Sequence, residues 1–527
     1  MAKLLKESIE WAIDSIHKSG DTFLFPKAFE LEAIKEHKTE VTSHIKNMDL
    51  GNLRFGSYRR AVSPKSLRGF RIATQLDPID SIITLSVIKE ISAQLEAARI
   101  PIENKIVYSF RLNPIADGTL YDKSLNYGNF KSDIDERLSA REITHVLKTD
   151  ISDFYPSIYL HDVGTALYEI FEGTPFQQHA DAIISLCEVM YSKQTHKGLP
   201  VGPQFSRPIA ELVLNGVDKH LVEKGIEFKR YVDDYVFFCK SERQAYHTLS
   251  NFAQILFEMR GLKLNESKTE IFEKDAYRKK ILQNPAATER KRLIMLMGIL
   301  LKEAGIDIDA YDESDFEDLP PSVKEQIQKL NLKQMLSKEL EKIEPDSNLI
   351  AFILGSLSRL DDVELTELLM ERKSLEKLSN RISSVVNYFR ILRSTSPSQK
   401  KQIGNSIITN LETSFVSEVA FNRMWLLNIF TDNDEWDNEG AFFGLYEKYE
   451  DEITRREITM ALFRSRNVSF LRANKHLNLD SMSPWARRAF IYGMSCLPED
   501  EKRPWFKVRR HVEKPYLDEL IEKWANK

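Results

Sequence analysis

A chain of 527 residues, 42% of them hydrophobic, can bury a sizeable core, and at roughly 100–200 residues per domain it should hold two to four domains. Its 74 lysines and arginines are nearly matched by 79 aspartates and glutamates, giving a net charge of −5 and a pI near 6.2. That balance excludes a surface basic throughout, so any nucleic-acid contact must be a local basic channel.

The first residues, MAKLLKESIEWAIDSI, set Leu4, Leu5, Ile9 and Ile13 at helical spacing among charges. This predicts an amphipathic helix and not a signal peptide. Up to about residue 275, β-type runs alternate with helical ones: IVYSFRL (106–112), HVLKTDI (145–151), FKRYVDDYVFFCK (228–240) and KTEIFE (268–273), with helices over 80–100 and 205–225. Such a pattern reads as α+β, with the polar residues of interest at strand ends. The three cysteines, Cys187, Cys239 and Cys496, form no CxxC pair and have no histidines at zinc spacing, which fits a reducing compartment. After about residue 285 strand signals nearly vanish and helical stripes follow one another, as in NLIAFILGSLSRL and ITRREITMALFRSR. They predict stacked helical hairpins resembling an α-solenoid, without a clean motif at fixed period. Three regions result: a helical extension over 1–60, an α+β region over 61–280 and an all-α region over 285–527. The acidic stretch DIDAYDESDFEDLPP (307–321) suits a solvated linker better than a metal cluster. The longest apolar run, Leu293 to Leu301, is shorter than the ~20 residues of a spanning helix, so a soluble intracellular protein with no membrane partner is expected.

Four segments carry chemistry. LKTDISDFYPSIY (147–159) ends an apolar strand at Asp150, and GLPVGPQFSRPIAELVL (198–214) is a Gly/Pro turn opening a helix. RYVDDYVFF (230–238) sets Asp233 and Asp234 between β-forming runs, and GLKLNESKTEIF (261–272) brings Lys268 into a strand. Nucleotidyl transfer needs two divalent ions roughly 3.5–4 Å apart that clamp the attacking and leaving oxygens. Magnesium takes hard oxygen ligands, so carboxylates from two rigid strands, with the Ile151 carbonyl beside Asp150, are suitable donors. An Asp-Asp pair alone is an ordinary turn, and Tyr231 and Tyr235 suit sheet packing. The four segments in this order carry the weight.

Together they resemble the palm of reverse transcriptases. Tyr231-Val232-Asp233-Asp234 is similar to YxDD, and Asp150 to Tyr155 to the strand–turn segment of the first aspartate. Leu199-Pro200-Val201-Gly202 is similar to LPxG, and Gly261 to Lys268 to GLxLNxxKT. The resemblance spans roughly residues 60–275. It implies a right-hand fingers–palm fold over 61–280 and catalytic, metal-holding Asp150, Asp233 and Asp234, with Ile151 as a further ligand. Two magnesium ions, or manganese, and deoxynucleoside triphosphates are implied with them. Tyr155 aligns with the aromatic residue under the incoming sugar, and Gly202 with the nucleotide-binding turn. Lys65 and Arg71 match the fingers segment that grips the triphosphate, with Arg68 the competing choice. Lys268 either protonates the leaving pyrophosphate or only flanks the site. Arg111 is a candidate for the template or nucleotide channel. Val201 stands where most reverse transcriptases carry glutamine, which implies looser selection.

A palm followed by a helical-repeat half is similar to the bacterial abortive-infection reverse transcriptases. That resemblance implies anti-phage defence and DNA synthesis without a conventional template. It also implies priming from a protein hydroxyl, DNA left covalently attached, homo-oligomers and a bacterial cytoplasmic location. The chain's 18 tyrosines leave the priming residue unassigned. Two other readings stay open: a templated enzyme using a partner RNA, and a silent scaffold or phage sensor. The basic, aromatic stretch 503–516 is either a surface helix or a single-strand contact.

Overall fold

The computed structural model describes residues 2–191, 197–283, 331–359, 361–432, 435–436, 438–509 and 513–527. The chain forms two compact units, one of Met1–Arg60 with Ala73–Pro285 and one of Ala61–Ile72 with Ala286–Lys527.

The first unit is built on a four-stranded antiparallel sheet in the order β4–β5–β3–β6, comprising β3 (His145–Asp150), β4 (Phe228–Tyr231), β5 (Asp234–Cys239) and β6 (Glu270–Glu273). The alternation of β5 explains its burial on both faces. Val236 and Phe238 join Val146, Phe272, Phe130 and Ile134 in one core. Tyr235 and Phe237 point the other way, onto Phe228 and onto Phe252 of the helix Glu242–Arg260. That helix starts where Ser241 Oγ accepts the Gln244 N–H at 3.2 Å and stops at Gly261, whose φ of 61° suits glycine.

Helix Pro78–Ala97 begins at Asp77, which accepts the Ile79 N–H at 3.2 Å, with proline at its first position. It is buried on nearly all sides, and the N-terminal helix Lys6–Ser19, whose Ile9, Ile13 and Ile16 are buried, packs on it. Leu5 lies before that helix and is exposed, so the predicted apolar stripe begins at Ile9.

One predicted strand is absent. Residues 106–112 make isolated bridges only, Val107 to Arg230 and Leu112 to Tyr121. Phe110 has φ 46°, which no strand can continue, and the neighbouring Ser109 and Arg111 side chains serve buried ionic contacts. The hairpin β1 (Arg59–Pro64) and β2 (Phe70–Gln75) carries its tip, 61–72, in the second unit.

In the second unit the described residues over 331–527 hold helices and no strand. Six helices form a continuous row, each packed on the next: Ser347–Arg359, Ile382–Ile391, Ala420–Asn428, Glu452–Arg464, Pro484–Gly493 and Tyr516–Ala525. Their first residues advance in steps of 32–38, which is the period of a helical repeat although no motif recurs in the sequence. Ile353, Val386, Leu426, Leu462, Ile491 and Ile521 are buried along it. The apolar run Leu293–Leu301 and the acidic stretch 307–321 lie outside the described residues. Among the described residues no helix is long and apolar enough to cross a membrane.

Candidate active site

The predicted aspartates meet at one end of the sheet. Asp150, the last residue of β3, is the register partner of Asp234, the first of β5. Directly opposed residues of an antiparallel pair hold their Cβ atoms about 4.5–5.5 Å apart, on one face. Asp233 is the second residue of the two-residue loop closing β4 onto β5, because Tyr231 pairs with Asp234. Its carbonyl accepts the Ile151 N–H at 3.2 Å, which ties the loop to the end of β3.

That loop is strained. Val232 has φ 58°, a region that β-branched residues avoid and that hairpin loops normally fill with glycine or asparagine. Such a conformation costs about 1–3 kcal/mol and survives only where its surroundings impose it. Here the Val232 N–H donates to Ser109 Oγ at 2.8 Å and the Arg230 guanidinium donates to the Val232 carbonyl at 2.7 Å.

The carboxylates repel one another. Burial and the charge of Asp150 push the Asp233 carboxyl up to about 6. Asp234 is also raised, by burial first, against the opposing field of Lys148 and with that of Asp150. Asp150 is 4% exposed, and its carboxylate accepts Lys268 Nζ at 2.7 Å and Asn265 Nδ2 at 3.3 Å. The Lys268 side chain is 47% exposed. Burial pulls its ammonium down, but the bond and fields of the aspartates outweigh burial and raise it.

This donor set suits a hard divalent cation: carboxylates that destabilise one another as anions, beside the Ile151 peptide. It is not a finished cage, since among the described residues no three acidic, His or Cys side chains already form a metal-holding group. With Lys268 seated on Asp150, the ammonium does part of the neutralising.

The other predicted residues fall into two groups. Tyr155 is half-buried in the short helix Phe154–Ser157, and its carbonyl accepts the Leu199 N–H at 2.9 Å, joining it to the LPVG turn. Burial, and after it the Glu211 charge, pushes its phenol up. Gly202 has φ 133°, and a Cβ there would lie 2.5 Å from the Thr74 carbonyl oxygen. Close backbone packing therefore requires glycine whatever binds nearby. Lys65, Arg68 and Arg71 belong to the hairpin segment that groups with the second unit, where Lys65 and Arg68 are exposed. Arg71 is partly buried there, its guanidinium held down by burial and by nearby Arg381.

Arg111 does not line a channel. It is 1% exposed and donates to Glu96 Oε1 at 2.6 Å and to the Val107 and Ile100 carbonyls, so it is a core residue. Tyr231 packs on Tyr127 and Phe130, while Tyr235 is fully buried with its hydroxyl on Asp218 at 2.9 Å. In the basic stretch 503–516, Arg503 and Arg509 belong to the helix Glu499–Arg509 and pair with Glu499 and Glu522, which fits the surface-helix reading. Residues 510–512 of that stretch lie outside the described residues.

Sequence reasoning missed Lys148, Asn265 and Ser109. Lys148 was readable, because it precedes Asp150 by two on the same strand and so shares its face. Asn265 stood in the quoted GLKLN segment without a role. Ser109 had no local signal, since its partners lie more than 100 residues away.

Residues 97–295 match the family described as "Reverse transcriptase (RNA-dependent DNA polymerase)". No curated protein matches the chain in sequence. Among solved structures, telomerase from Candida albicans in complex with a fragment of telomeric RNA is similar at 13% identity and a TM-score of 0.32, over 74% of this chain and 70% of that one. Apo telomerase from Candida tropicalis is similar at 12% identity and a TM-score of 0.30, over 94% of this chain and 73% of that one. With YVDD at a hairpin loop, Asp150 opposite it and the family match across both, the chain carries a reverse-transcriptase domain and is a nucleotidyltransferase of the RNA-directed DNA polymerase type.

Proposed function

We propose that this chain synthesises DNA by two-metal nucleotidyl transfer in anti-phage, abortive-infection defence, primed from a protein hydroxyl and without a conventional template. The observation that carries the chemistry is Asp150 paired across the sheet with Asp234, beside Asp233 in its strained loop.

Asp150, Asp233 and Asp234, with the Ile151 carbonyl, would hold two magnesium or manganese ions. Bound there, such ions supply charge stabilisation to the transferring phosphoryl group and its leaving oxygen. The chain's own residues do the rest. The carboxylates must be ionised to hold the site, and burial and the charge of Asp150 make Asp233 give up its charge already as pH falls through about 6. Lys268 keeps its proton through its bond to Asp150 and can deliver it from Nζ to the departing pyrophosphate. The Tyr155 ring excludes a 2′-hydroxyl and so selects deoxynucleotides. Gly202 lets the LPVG backbone lie close to the nucleotide, and Lys65 and Arg71 bind its phosphates.

The defence role, the attached product, the homo-oligomer and the bacterial cytoplasmic setting rest on the pairing of a polymerase region with a helical-repeat region. Incubating the purified protein with deoxynucleotides and magnesium alone tests the reading. DNA should form, and nuclease should lower the mass of the protein; no synthesis without added template and primer would end it. A second reading is templated synthesis on a partner RNA, favoured by the family's own description, and a copurifying RNA matching the product would establish it. A silent scaffold or phage sensor is the reading left if Asp233→Ala retains defence.

A further inference from the structure

Beneath the YVDD loop lies a buried ionic lattice that the chemistry above does not use. Glu211 and Asp218 stand seven residues apart on helix Ser206–Glu223, and each is 1% exposed. Arg230, also 1% exposed, bridges them, with Glu211 Oε2 at 3.0 Å from one terminal nitrogen and Asp218 Oδ2 at 2.6 Å from the other. Glu211 Oε2 also accepts Arg99 at 2.9 Å, and its Oε1 accepts the Ser109 hydroxyl at 2.5 Å. Having donated its proton to Glu211, Ser109 Oγ is left to accept the Val232 N–H at 2.8 Å. The Arg230 nitrogen that faces Glu211 donates to the Val232 carbonyl at 2.7 Å.

Both peptides that flank Val232 are therefore gripped, one by Ser109 and one by Arg230, and both grips lead back to Glu211. A buried ion lattice adds little net stability over well-packed apolar side chains, so its placement calls for another reason. The one non-glycine residue with positive φ in the loop is the one it holds.

We propose that Ser109, Glu211 and Arg230 are positioning residues that force Val232 into its left-handed conformation and so set Asp233 against Asp150. They touch no substrate. The inference rests on the polymerase reading, since it assigns a purpose to the place of Asp233. It requires that a loop which adopts positive φ without force should no longer need the grip.

The test is Ser109→Ala, Val232→Gly and the double variant, each confirmed folded by circular dichroism at the assay temperature. Freeing a strained loop of this size corresponds to a loss of about tenfold in kcat for Ser109→Ala, with KM for deoxynucleotide within about twofold. Mn2+ binding, read by electron paramagnetic resonance, should weaken several-fold in the same variant. Val232→Gly alone should stay near the parent, and adding it to Ser109→Ala should restore both readouts. A merely structural role for Ser109 would not be rescued by glycine at Val232. An unchanged kcat and Mn2+ affinity in Ser109→Ala, or a double variant as impaired as the single one, overturns the proposal. If the parent protein incorporates no nucleotide, the polymerase reading fails, while the Mn2+ series still decides whether the loop is gripped.

Discussion

The two units space their contacts along the chain in opposite ways. In the first, the site joins residues from distant stretches: Asp150 meets Lys268, 118 residues on, and Ser109 meets Val232, 123 residues on. In the second, the same separation recurs. Asn380 to Ser347, Asn438 to Asn405 and Arg464 to Thr431 are each bonded 33 residues apart, about one repeat. A repeat spreads its stability over many similar neighbour contacts, whereas the sheet concentrates geometry, charge and backbone strain at one loop. Substitutions should therefore separate the units by which quantity they move.

The largest effect belongs to the aspartates. Asp234→Ala should cut nucleotide incorporation by about a thousandfold or more, since removing one of a cooperating set costs nearly the whole. Thermal unfolding should barely change, and an incorporation assay beside calorimetry decides it. Loss of fold together with activity would break the comparison.

Leu462→Ala, at a fully buried position of the second unit, reverses the pattern. A cavity there should cost about 2–5 kcal/mol of stability while the folded fraction keeps its kcat. A matching drop in kcat per folded molecule would show that the sheet depends on the repeats.

Asp233 should show a smaller effect with a definite sign. Its carboxyl sits near 6 in the folded protein against an ordinary value of 3.8, so the folded form prefers the proton. The resulting stability is present below the ordinary value and is lost as pH rises through about 6. In metal-free protein, Asp233→Asn should thus raise stability by about 1 kcal/mol at neutral pH, while abolishing synthesis, and do nothing near pH 4. In the parent enzyme, the magnesium needed for half-maximal rate should climb as pH falls below about 6. A flat melting difference between the two pH values would sink this reading.

The smallest effect is expected at Arg503, whose partner Glu499 is exposed like itself. Arg503→Ala should change stability by less than about 0.5 kcal/mol and leave single-stranded DNA binding as it was. A clear loss in a binding titration would turn the surface helix into a contact.

The reactive core was legible in sequence because the chemistry restricts residue type. Carboxylates at strand ends and a turn between β-forming runs leave few readings, and Asp150, Asp233 and Asp234 meet as expected. Segment 106–112 failed because its β-branched and aromatic run hid the turn at Phe110, which tertiary contacts impose. Arg111 was mistaken for a channel residue because basicity shows in sequence and a buried partner such as Glu96 does not. The stacked helices were expected, but their period could not be read because the units share packing distance and not residue identity. Glu211 and Asp218 had a visible signal, two acids seven residues apart and so on one face of the helix 206–223.

The even stride of the second unit makes it modular. Asp451 Oδ1 accepts the Thr454 N–H at 2.9 Å at the start of helix Glu452–Arg464, and Ser483 Oγ accepts the Ala486 N–H at 3.3 Å at the start of Pro484–Gly493. Excising 452–483 would splice Asp451 onto the next helix as its cap, in phase. The row should reclose around the missing rung, whereas a cut of half that length would set apolar stripes against polar ones and fail to refold.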